Sequence, residues 1–167
     1  MPFALLPTWQ AEAVTDITAE FLKAQNIRLI MLDFDNTIVP YTTNIPTEPV
    51  KSWLEQMQSS GFTVCVVSNS HNSRVPEFCE KYGLNCITHA QQPTAKGIRQ
   101  CLNRFEIPAE QAVLVGDQIY TDTLGGGLAG VRTVLVRSIH NHTIWLKLRH
   151  VAEMPFIFAA RNRRITK

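Results

Sequence analysis

The chain has 167 residues, a net charge of +2 and 45% apolar residues, which is the composition of an ordinary globular protein. Its length predicts one domain over residues 1–167, with a core large enough to need no disulfide or structural metal. Every apolar run is shorter than the ~20 residues of a membrane-spanning helix, and residues 1–9 lack the features of a signal peptide. The four cysteines form no C-x-x-C pair. We therefore expect a cytoplasmic protein with free thiols.

Taken in chain order, strand and helix patterns alternate. Apolar runs and helical spacing predict strands at 28–34, 62–67, 85–88, 112–115 and 133–136, with helices at 16–25, 47–60, 75–82 and 94–105. Strands that alternate with helices form βαβ units. The pattern therefore predicts an α/β fold, in which helices flank a parallel sheet of about five strands.

Beyond residue 140 the pattern changes. An amphipathic helix is indicated, with an apolar side formed by Ile144, Trp145, Leu148 and Val151. Pro155 is expected to break or bend this helix. An apolar group and a basic run follow it, formed by Phe156, Ile157, Phe158, Arg161, Arg163, Arg164 and Lys167.

Charge is divided unevenly along the chain. Residues 1–131 hold eight Lys and Arg against thirteen Asp and Glu, a balance of −5. Residues 132–167 hold eight Lys and Arg against Glu153 alone, a balance of +7. A basic end on an acidic body indicates an anionic partner, either a membrane surface or nucleic acid.

The strongest chemical signal is the pentapeptide Asp-Phe-Asp-Asn-Thr, which runs from Asp33 to Thr37 at the end of the first predicted strand. Reactive groups of open α/β sheets gather at the carboxyl ends of the strands. Asp33 and Asp35 repel each other there, so a nearby cation or a catalytic task is the favoured reason for the pair. The alternative is a solvated turn, because Asp and Asn also favour turns.

Further polar residues follow the later strands in a fixed order. Ser68 and Asn69 follow the second strand, where a hydroxyl, an amide and turn N–H groups can hold phosphate oxygens. Lys96 lies at the start of the next helix, where its charge can neutralise phosphate. Asp117 and Asp122 follow the fourth strand, and their carboxylates suit Mg²⁺. Each residue alone is more often structural, but their order at successive strand ends favours a catalytic site.

These residues resemble the four motifs of the haloacid dehalogenase (HAD) superfamily. The motifs are Asp33-x-Asp35-x-Thr37, Ser68, Lys96 and Gly116-Asp117 followed by Asp122. The wider pattern is similar to the YqeG-type phosphatases of HAD subclass IIIA, whose relatives include phosphatidylglycerophosphate phosphatases. The resemblance implies a Rossmann-like HAD core over about residues 28–136, with an N-terminal helix and the basic C-terminal helical segment packed on it.

One position departs from this pattern. Many members of the group carry a lysine immediately before the proline of the third motif, where this chain has Gln92 before Pro93. Lys96 is followed by Gly97, and other HAD branches use such a Lys-Gly form. We therefore assign the third-motif role to Lys96.

The resemblance implies a phosphatase reaction in two steps. Asp33 would attack phosphorus and form an aspartyl-phosphate, while Asp35 would protonate the leaving group and later take a proton from water. Mg²⁺ would be held by Asp33, the Asp35 backbone carbonyl and Asp117, with Asp122 orienting these ligands from behind. The phosphate oxygens would be held by Thr37, Ser68, Asn69 and Lys96.

The spacing of the motifs bears on the substrate. Thirty residues separate Thr37 from Ser68 and 27 separate Ser68 from Lys96, so each gap has room for a helix and a strand but none for a cap domain. An open site suits a phosphate on a macromolecule or on a membrane surface. We favour a lipid headgroup phosphate such as phosphatidylglycerophosphate, with the basic segment on the inner face of the membrane. Nucleic acid is not expected as a partner of this enzyme.

Two alternatives stay open at this point. One is a phosphatase for a soluble sugar or nucleotide phosphate, in which contacts within an oligomer would supply the missing lid. The other is a non-catalytic adaptor whose basic end binds RNA or a protein. The intact set of motif residues disfavours the adaptor, because a decayed enzyme would usually have lost one of them.

Overall fold

The computed structural model describes residues 5–139 and 144–165, with residues 144–150 described by their backbone alone. Six parallel strands form one sheet in the order β1-β6-β5-β2-β3-β4. The strands are β1 Trp9–Ala11, β2 Leu29–Leu32, β3 Thr63–Val67, β4 Asn85–Ile87, β5 Ala112–Gly116 and β6 Arg132–Val136. The predicted α/β fold is confirmed, with six strands where about five were expected.

The additional strand is β1, which pairs with β6 at the edge of the sheet and places Gln10 opposite Leu135. Three residues are too few for a periodic strand signal. Contacts distant in sequence hold the strand, since Thr8 N–H donates to the Thr133 hydroxyl at 3.2 Å and Thr133 N–H donates to the Thr8 hydroxyl at 3.1 Å. Tertiary pairing therefore creates β1, and its local sequence does not predict it.

Helices cover both faces of the sheet. They are α1 Ala19–Ala24, α2 Glu48–Ser59, α3 Arg74–Tyr82, α4 Lys96–Phe105, α5 Leu124–Ala129 and α6 Ile144–Ala159. On one face α1, α2 and α3 pack Leu22, Trp53 and Phe78 against the sheet, and on the other face α4 packs Ile98 and Leu102. Both faces of the central strands β2 and β5 are buried as a result. The carboxyl ends of these two strands lie side by side at one edge of the sheet.

The gaps between the predicted motifs contain short elements of the core fold. Between Thr37 and Ser68 the chain forms a loop, α2 and β3, and between Ser68 and Lys96 it forms α3, β4 and a second loop. Each gap thus holds the single helix and single strand that its length predicts.

The C-terminal helix α6 is not broken at Pro155, because it continues through this residue to Ala159. A proline inside a helix lacks the N–H for one backbone hydrogen bond. Contacts with the core hold the helix on both sides of it: Glu153 Oε1 accepts from the Ile119 N–H at 3.0 Å, and Gln10 Nε2 donates to the Ile157 carbonyl at 3.0 Å.

The apolar side predicted for this helix is only partly described. The side chains of Ile144, Trp145 and Leu148 lie outside the described side chains, and Lys167 lies outside the described residues. Across residues 5–139 and 144–165, no helix has both the length and the apolar character needed to cross a membrane.

Candidate active site

A tight loop after β2 places two aspartates at the carboxyl edge of the sheet. Asp33 N–H donates to the Val115 carbonyl at 2.9 Å, which continues the pairing of β2 with β5. Asn36 has a left-handed backbone with φ of 62°, which asparagine tolerates better than most residues. Its N–H donates to the Val39 carbonyl at 2.7 Å. The chain therefore turns back directly after Asp35.

Three carboxylates converge at this edge. One oxygen each from Asp33, Asp117 and Asp122 lies within 4.8 Å of the other two. Asp33 follows β2 and Asp117 follows β5, so the adjacency of these strands brings the first two together. The structure thus joins Asp122 to the same group as Asp33 and Asp117. Whether it binds the metal or orients the ligands stays a prediction.

The spacing of the Gly-Asp-x-x-x-x-Asp motif has a steric reason. The turn Ile119–Thr123 is π-helical, and it folds the Asp122 side chain back against Gly116. A Cβ atom at position 116 would collide with the Asp122 carboxylate. Asp122 Oδ2 accepts from the Gln118 N–H at 3.1 Å, which fixes the carboxylate in this position.

Burial and mutual repulsion make it energetically unfavourable for all three carboxyl groups to be ionised without a cation. Burial raises the pKa of Asp33 well above its usual range, and the charges of Asp122 and Asp117 raise it further. Burial also raises the pKa of Asp122, with the charge of Asp117 as the next cause. Within the described residues, Asp122 Oδ1 is buried without a hydrogen-bond partner. The oxygens present therefore fit a divalent cation, which would offset the repulsion.

Two predicted phosphate-binding hydroxyls are buried at the strand ends. Thr37 Oγ1 donates to Asp117 Oδ1 at 3.4 Å, so this hydroxyl contacts the carboxylate group directly. Ser68 follows β3, the strand next to β2, and its Oγ accepts from the Ser70 N–H at 3.1 Å. The hydroxyl hydrogen of Ser68 is not used in that bond and can be donated elsewhere.

Asn69 joins the loops that follow β3 and β4. Its Oδ1 accepts from the Gln92 N–H at 2.7 Å, and its Nδ2 donates to the Gln92 carbonyl at 3.1 Å. Both ends of the Asn69 amide are thus bonded to the backbone of Gln92. The second hydrogen of Nδ2 is not used in these bonds and could be donated to a phosphate oxygen, so the predicted role of Asn69 stays a prediction.

Lys96 lies on the exposed side of α4, whose opposite side faces the core through Ile98 and Leu102. It shares a surface depression with Thr94, Ala95, Arg99, Gln100 and Asn103. Among the contacts of the described residues, none joins Lys96 to the aspartates. The phosphate-binding role of Lys96 therefore stays a prediction.

Gln92, which precedes the proline of the third motif, is buried beside the loop that Asn69 holds. In the part of the chain that the structure describes, its Nε2 has no hydrogen-bond partner. A buried donor without a partner carries a desolvation cost of about 1–3 kcal/mol. We find no contact within the described chain that offsets this cost.

The charged partner of Asp35 is a residue to which the motifs assign no role. Arg74, the first residue of α3, donates from Nη1 to Asp35 Oδ1 at 3.0 Å. Burial raises the pKa of Asp35, and the Arg74 charge offsets part of that rise. The sequence does carry a signal for Arg74, because it lies at the start of a helix, where the helix dipole disfavours a cation. An arginine at such a position suggests a contact with an acidic group elsewhere in the fold.

Comparisons with known proteins identify the family of this chain. A family model described as HAD-hydrolase-like matches residues 90–150. The probable phosphatase YqeG of Bacillus subtilis is 36% identical over 131 residues, which cover 78% of this chain and 76% of that protein. Phosphatidylglycerophosphate phosphatase 1 of Arabidopsis thaliana is 24% identical over 163 residues, which cover 92% of this chain and 44% of that protein.

Solved structures show the same fold. The cobalt-bound deoxy-D-mannose-octulosonate 8-phosphate phosphatase of Haemophilus influenzae superposes with a TM-score of 0.56 at 12% identity, covering 83% of this chain and 92% of that one. Fold and site together define a HAD-type hydrolase. The chain belongs to the HAD family, in the group of phosphatases similar to YqeG, and it is a phosphatase.

Proposed function

We propose that this phosphatase is a Mg²⁺-dependent phosphomonoesterase that works through an aspartyl-phosphate on Asp33. The observation that carries the proposal is the group formed by Asp33, Asp117 and Asp122, whose oxygens lie within 4.8 Å of one another. Asp35 follows two residues after Asp33 on the same tight loop. A nucleophile, a proton carrier and a cation site would thus occupy one edge of the sheet.

Asp33 and Asp117, together with the Asp35 backbone carbonyl, would hold the Mg²⁺. Asp122 would orient these ligands or bind the ion itself, since its carboxylate belongs to the same group. When bound, the ion would screen the charge of Asp33 from the charge of the substrate phosphate.

The bond-making and proton-transfer steps would use the two aspartates and a water molecule. In the first step a carboxylate oxygen of Asp33 attacks phosphorus, the bond to the leaving oxygen breaks, and Asp35 gives its proton to that oxygen. In the second step water attacks the aspartyl-phosphate at phosphorus, and the bond to Asp33 breaks. Asp35 takes the proton of the water, and inorganic phosphate leaves.

Donors at the neighbouring strand ends would hold the phosphate oxygens as charge moves during transfer. The position of Ser68 directly after β3 and a hydroxyl hydrogen that is not used in its bond with Ser70 support its part in this set. Thr37 would act mainly through Asp117, which its hydroxyl contacts. Asn69 and Lys96 complete the proposed set, with Lys96 acting from the exposed side of α4.

For the substrate we propose a phosphate on a lipid headgroup, with phosphatidylglycerophosphate as the specific candidate. The similarity to a phosphatidylglycerophosphate phosphatase supports this choice, although the chain spans only 44% of that relative. The gaps between motifs hold only core elements, which supports a site open to a large substrate.

The distribution of exposed apolar side chains also supports a lipid surface. Tyr41 and Ile45 are exposed in the loop after the aspartates, and Ile139 is exposed where its N–H donates to the Asn36 carbonyl. Val151, Met154 and Phe158 are exposed on α6, which packs on the turn that carries Asp122. Large apolar groups are thus exposed on the loop that follows the aspartates and on the helix that packs on the turn carrying Asp122.

Hydrolysis assays test the proposal in two stages. The first compares turnover of p-nitrophenyl phosphate with Mg²⁺ and with EDTA, and we expect activity only with the metal. The second compares phosphatidylglycerophosphate in mixed micelles with a panel of soluble sugar and nucleotide phosphates, and we expect the lipid to give the highest kcat/KM. A higher value for a soluble phosphate would favour the alternative substrate class, and no hydrolysis with Mg²⁺ would overturn the proposal.

A further inference from the structure

Arg74 makes a set of contacts that connects three separate segments around the candidate site. Its Nη1 donates to Asp35 Oδ1 at 3.0 Å, its Nε donates to Asn44 Oδ1 at 2.6 Å, and its Nη2 donates to the Thr43 carbonyl at 2.8 Å. The guanidinium also lies over the rings of Phe34 and Tyr41, at 5.4 and 5.8 Å from their centroids. The start of α3 is thereby tied to the aspartate loop and to the segment that follows it.

Arg74 forms a partly buried ion pair with the side chain of Asp35. The Arg74 and Asp35 side chains are 22% and 25% exposed, so the pair is screened by solvent much less than a surface ion pair. With Oδ1 held by Arg74, the Asp35 carboxyl has a fixed orientation. Its other oxygen, Oδ2, is left to exchange a proton with a reacting group.

We propose that Arg74 is a positioning residue for proton transfer by Asp35, an inference that rests on the proposed function. Arg74 fixes Asp35 Oδ1, so that Oδ2 carries the proton that goes to the leaving oxygen. After the phosphorus–oxygen bond breaks, the same Oδ2 receives the proton of the attacking water. Asn44 and Thr43 hold the guanidinium in place, and both belong to the loop between β2 and α2.

Only arginine can make this set of contacts at once. Its planar guanidinium carries five donors in a fixed arrangement, whereas lysine offers a single ammonium group on a flexible chain. A lysine at position 74 could reach Asp35 but could not also bind Asn44 and Thr43 with the same geometry. We therefore expect Arg74→Lys to restore part of the effect of Arg74→Ala.

Leaving groups of different basicity provide the test. p-Nitrophenolate leaves without a proton, whereas the alkoxide of glycerol must be protonated as it leaves. In rapid-mixing experiments with Mg²⁺, Arg74→Ala should release glycerol from glycerol 1-phosphate in the first turnover about 10–100-fold more slowly than the wild type. The first-turnover release of p-nitrophenol from p-nitrophenyl phosphate should remain nearly unchanged.

Matched variants separate this role from general destabilisation. Arg99→Ala removes another arginine that binds a backbone carbonyl, that of Leu128 on α5, and should leave both rates unchanged. Asn44→Ala keeps the ion pair but removes its support, and should slow glycerol release by a smaller factor. If Arg74→Ala does not fold, Arg74→Lys and Asn44→Ala carry the same comparison.

The outcomes distinguish this inference from the function on which it rests. Equal slowing of both substrates in Arg74→Ala, or no change in either, with an active wild type would overturn the role of Arg74 alone. A wild type that hydrolyses neither substrate with Mg²⁺ would overturn the proposed function and this inference together. A selective loss of glycerol release would support both.

Discussion

At the scale of single residues, Asp33 has the clearest expected role. We expect Asp33→Asn to lower turnover of p-nitrophenyl phosphate by at least about 1,000-fold, because an amide cannot form the acyl phosphate and is a poorer ligand for Mg²⁺. Turnover is measured with Mg²⁺ after thermal unfolding has shown that the variant folds. Glu55→Gln, which neutralises an exposed acid on α2, is the control and should be fully active. Near-normal turnover of folded Asp33→Asn would contradict the aspartyl-phosphate.

The buried carboxylates also predict how stability depends on pH when no metal is bound. In the folded protein the pKa of Asp122 is raised, whereas in the unfolded chain it is about 3.9. The folded state then keeps a proton that the unfolded state loses, so this group stabilises the fold fully below pH ~4. The contribution is lost as pH rises through the raised pKa.

Urea unfolding in EDTA across this pH range is the measurement. We expect the free energy of unfolding to fall as pH rises from about 4 towards neutrality, and to fall less in Asp122→Asn. Added Mg²⁺ should raise it again near neutral pH, because a ligand that binds only the folded state stabilises it. Identical pH profiles for the wild type and Asp122→Asn would show that the carboxylate group is not under electrostatic strain.

Lys96 and Arg99 lie on the same exposed side of α4, which makes them a matched pair. If Lys96 contacts the phosphate, its loss should matter more than the loss of Arg99. Because an exposed charge is screened by salt, we expect Lys96→Ala to lower kcat/KM by about three- to tenfold at low salt, chiefly through KM. We expect Arg99→Ala to have no effect. Equal values of kcat/KM for the two variants would remove Lys96 from the site.

The sequence predicts a site residue when that residue belongs to a recognisable motif. It does not predict one whose role comes from a contact with a distant segment. Asp33 and Asp117 follow strands that the apolar runs identify, so their position at the same carboxyl edge could be predicted from the parallel sheet. Their adjacency depends on the pairing of β2 with β5, which the sequence pattern does not predict. Arg74 could not be assigned in this way. Its partner Asp35 is 39 positions earlier in the chain, and only the folded loops bring the two together.

At the scale of whole elements, the sequence likewise predicts those that depend on local residues and misses those that depend on contacts between distant segments. The apolar runs predict β2, β3 and β5 because both faces of these strands are buried, so nearly all of their side chains are apolar. They miss β1, which exists through its pairing with β6. Pro155 predicts a break or a bend in the C-terminal helix, and the helix continues through it with contacts to the core on both sides. One of the contacts that hold α6 on the core is made by the single acid of the basic C-terminal segment.

Glu153 is that acid, and it is buried where α6 meets the turn that carries Asp122. Removing its carboxylate would leave the Ile119 N–H buried without this acceptor. We expect Glu153→Ala to lower the free energy of unfolding by about 1–3 kcal/mol. Glu153→Gln keeps an acceptor oxygen and should cost less. Urea unfolding with Mg²⁺ measures both, and an unchanged midpoint for Glu153→Ala would show that α6 does not depend on this contact.

At the scale of the whole molecule, the charge and apolar surface of the C-terminal segment raise the question of what it contacts. Part of the segment packs on the core, since Arg163 Nη1 donates to the Pro7 carbonyl at 2.9 Å and Ile165 N–H donates to the Gln10 carbonyl at 2.8 Å. Removing everything after Ala160 would therefore disturb the fold as well as any membrane contact. Point variants on the exposed side of α6 give a cleaner test.

Phe158 and Met154 form that exposed side, and the Arg161 guanidinium lies 4.6 Å from the centroid of the Phe158 ring. Apolar side chains beside arginines are typical of surfaces that lie in the interface of an anionic bilayer. Each basic residue near such a surface contributes about 1 kcal/mol. We therefore expect the wild type to co-sediment with phosphatidylglycerol vesicles at low salt, and the double variant Met154→Ser/Phe158→Ser to remain largely in the supernatant.

A matched control and a change of salt decide between membrane contact and non-specific adhesion. Leu128 on α5 is 52% exposed, compared with 50% for Met154, so Leu128→Ser removes an apolar side chain of similar exposure from another part of the molecule. It should co-sediment like the wild type. High salt should weaken the binding, because it screens the arginines. If Met154→Ser/Phe158→Ser binds as well as Leu128→Ser, or if no form of the protein binds anionic vesicles, α6 does not dock on lipid. The support for a lipid substrate then rests on the similarity to phosphatidylglycerophosphate phosphatase 1 and on the open site alone.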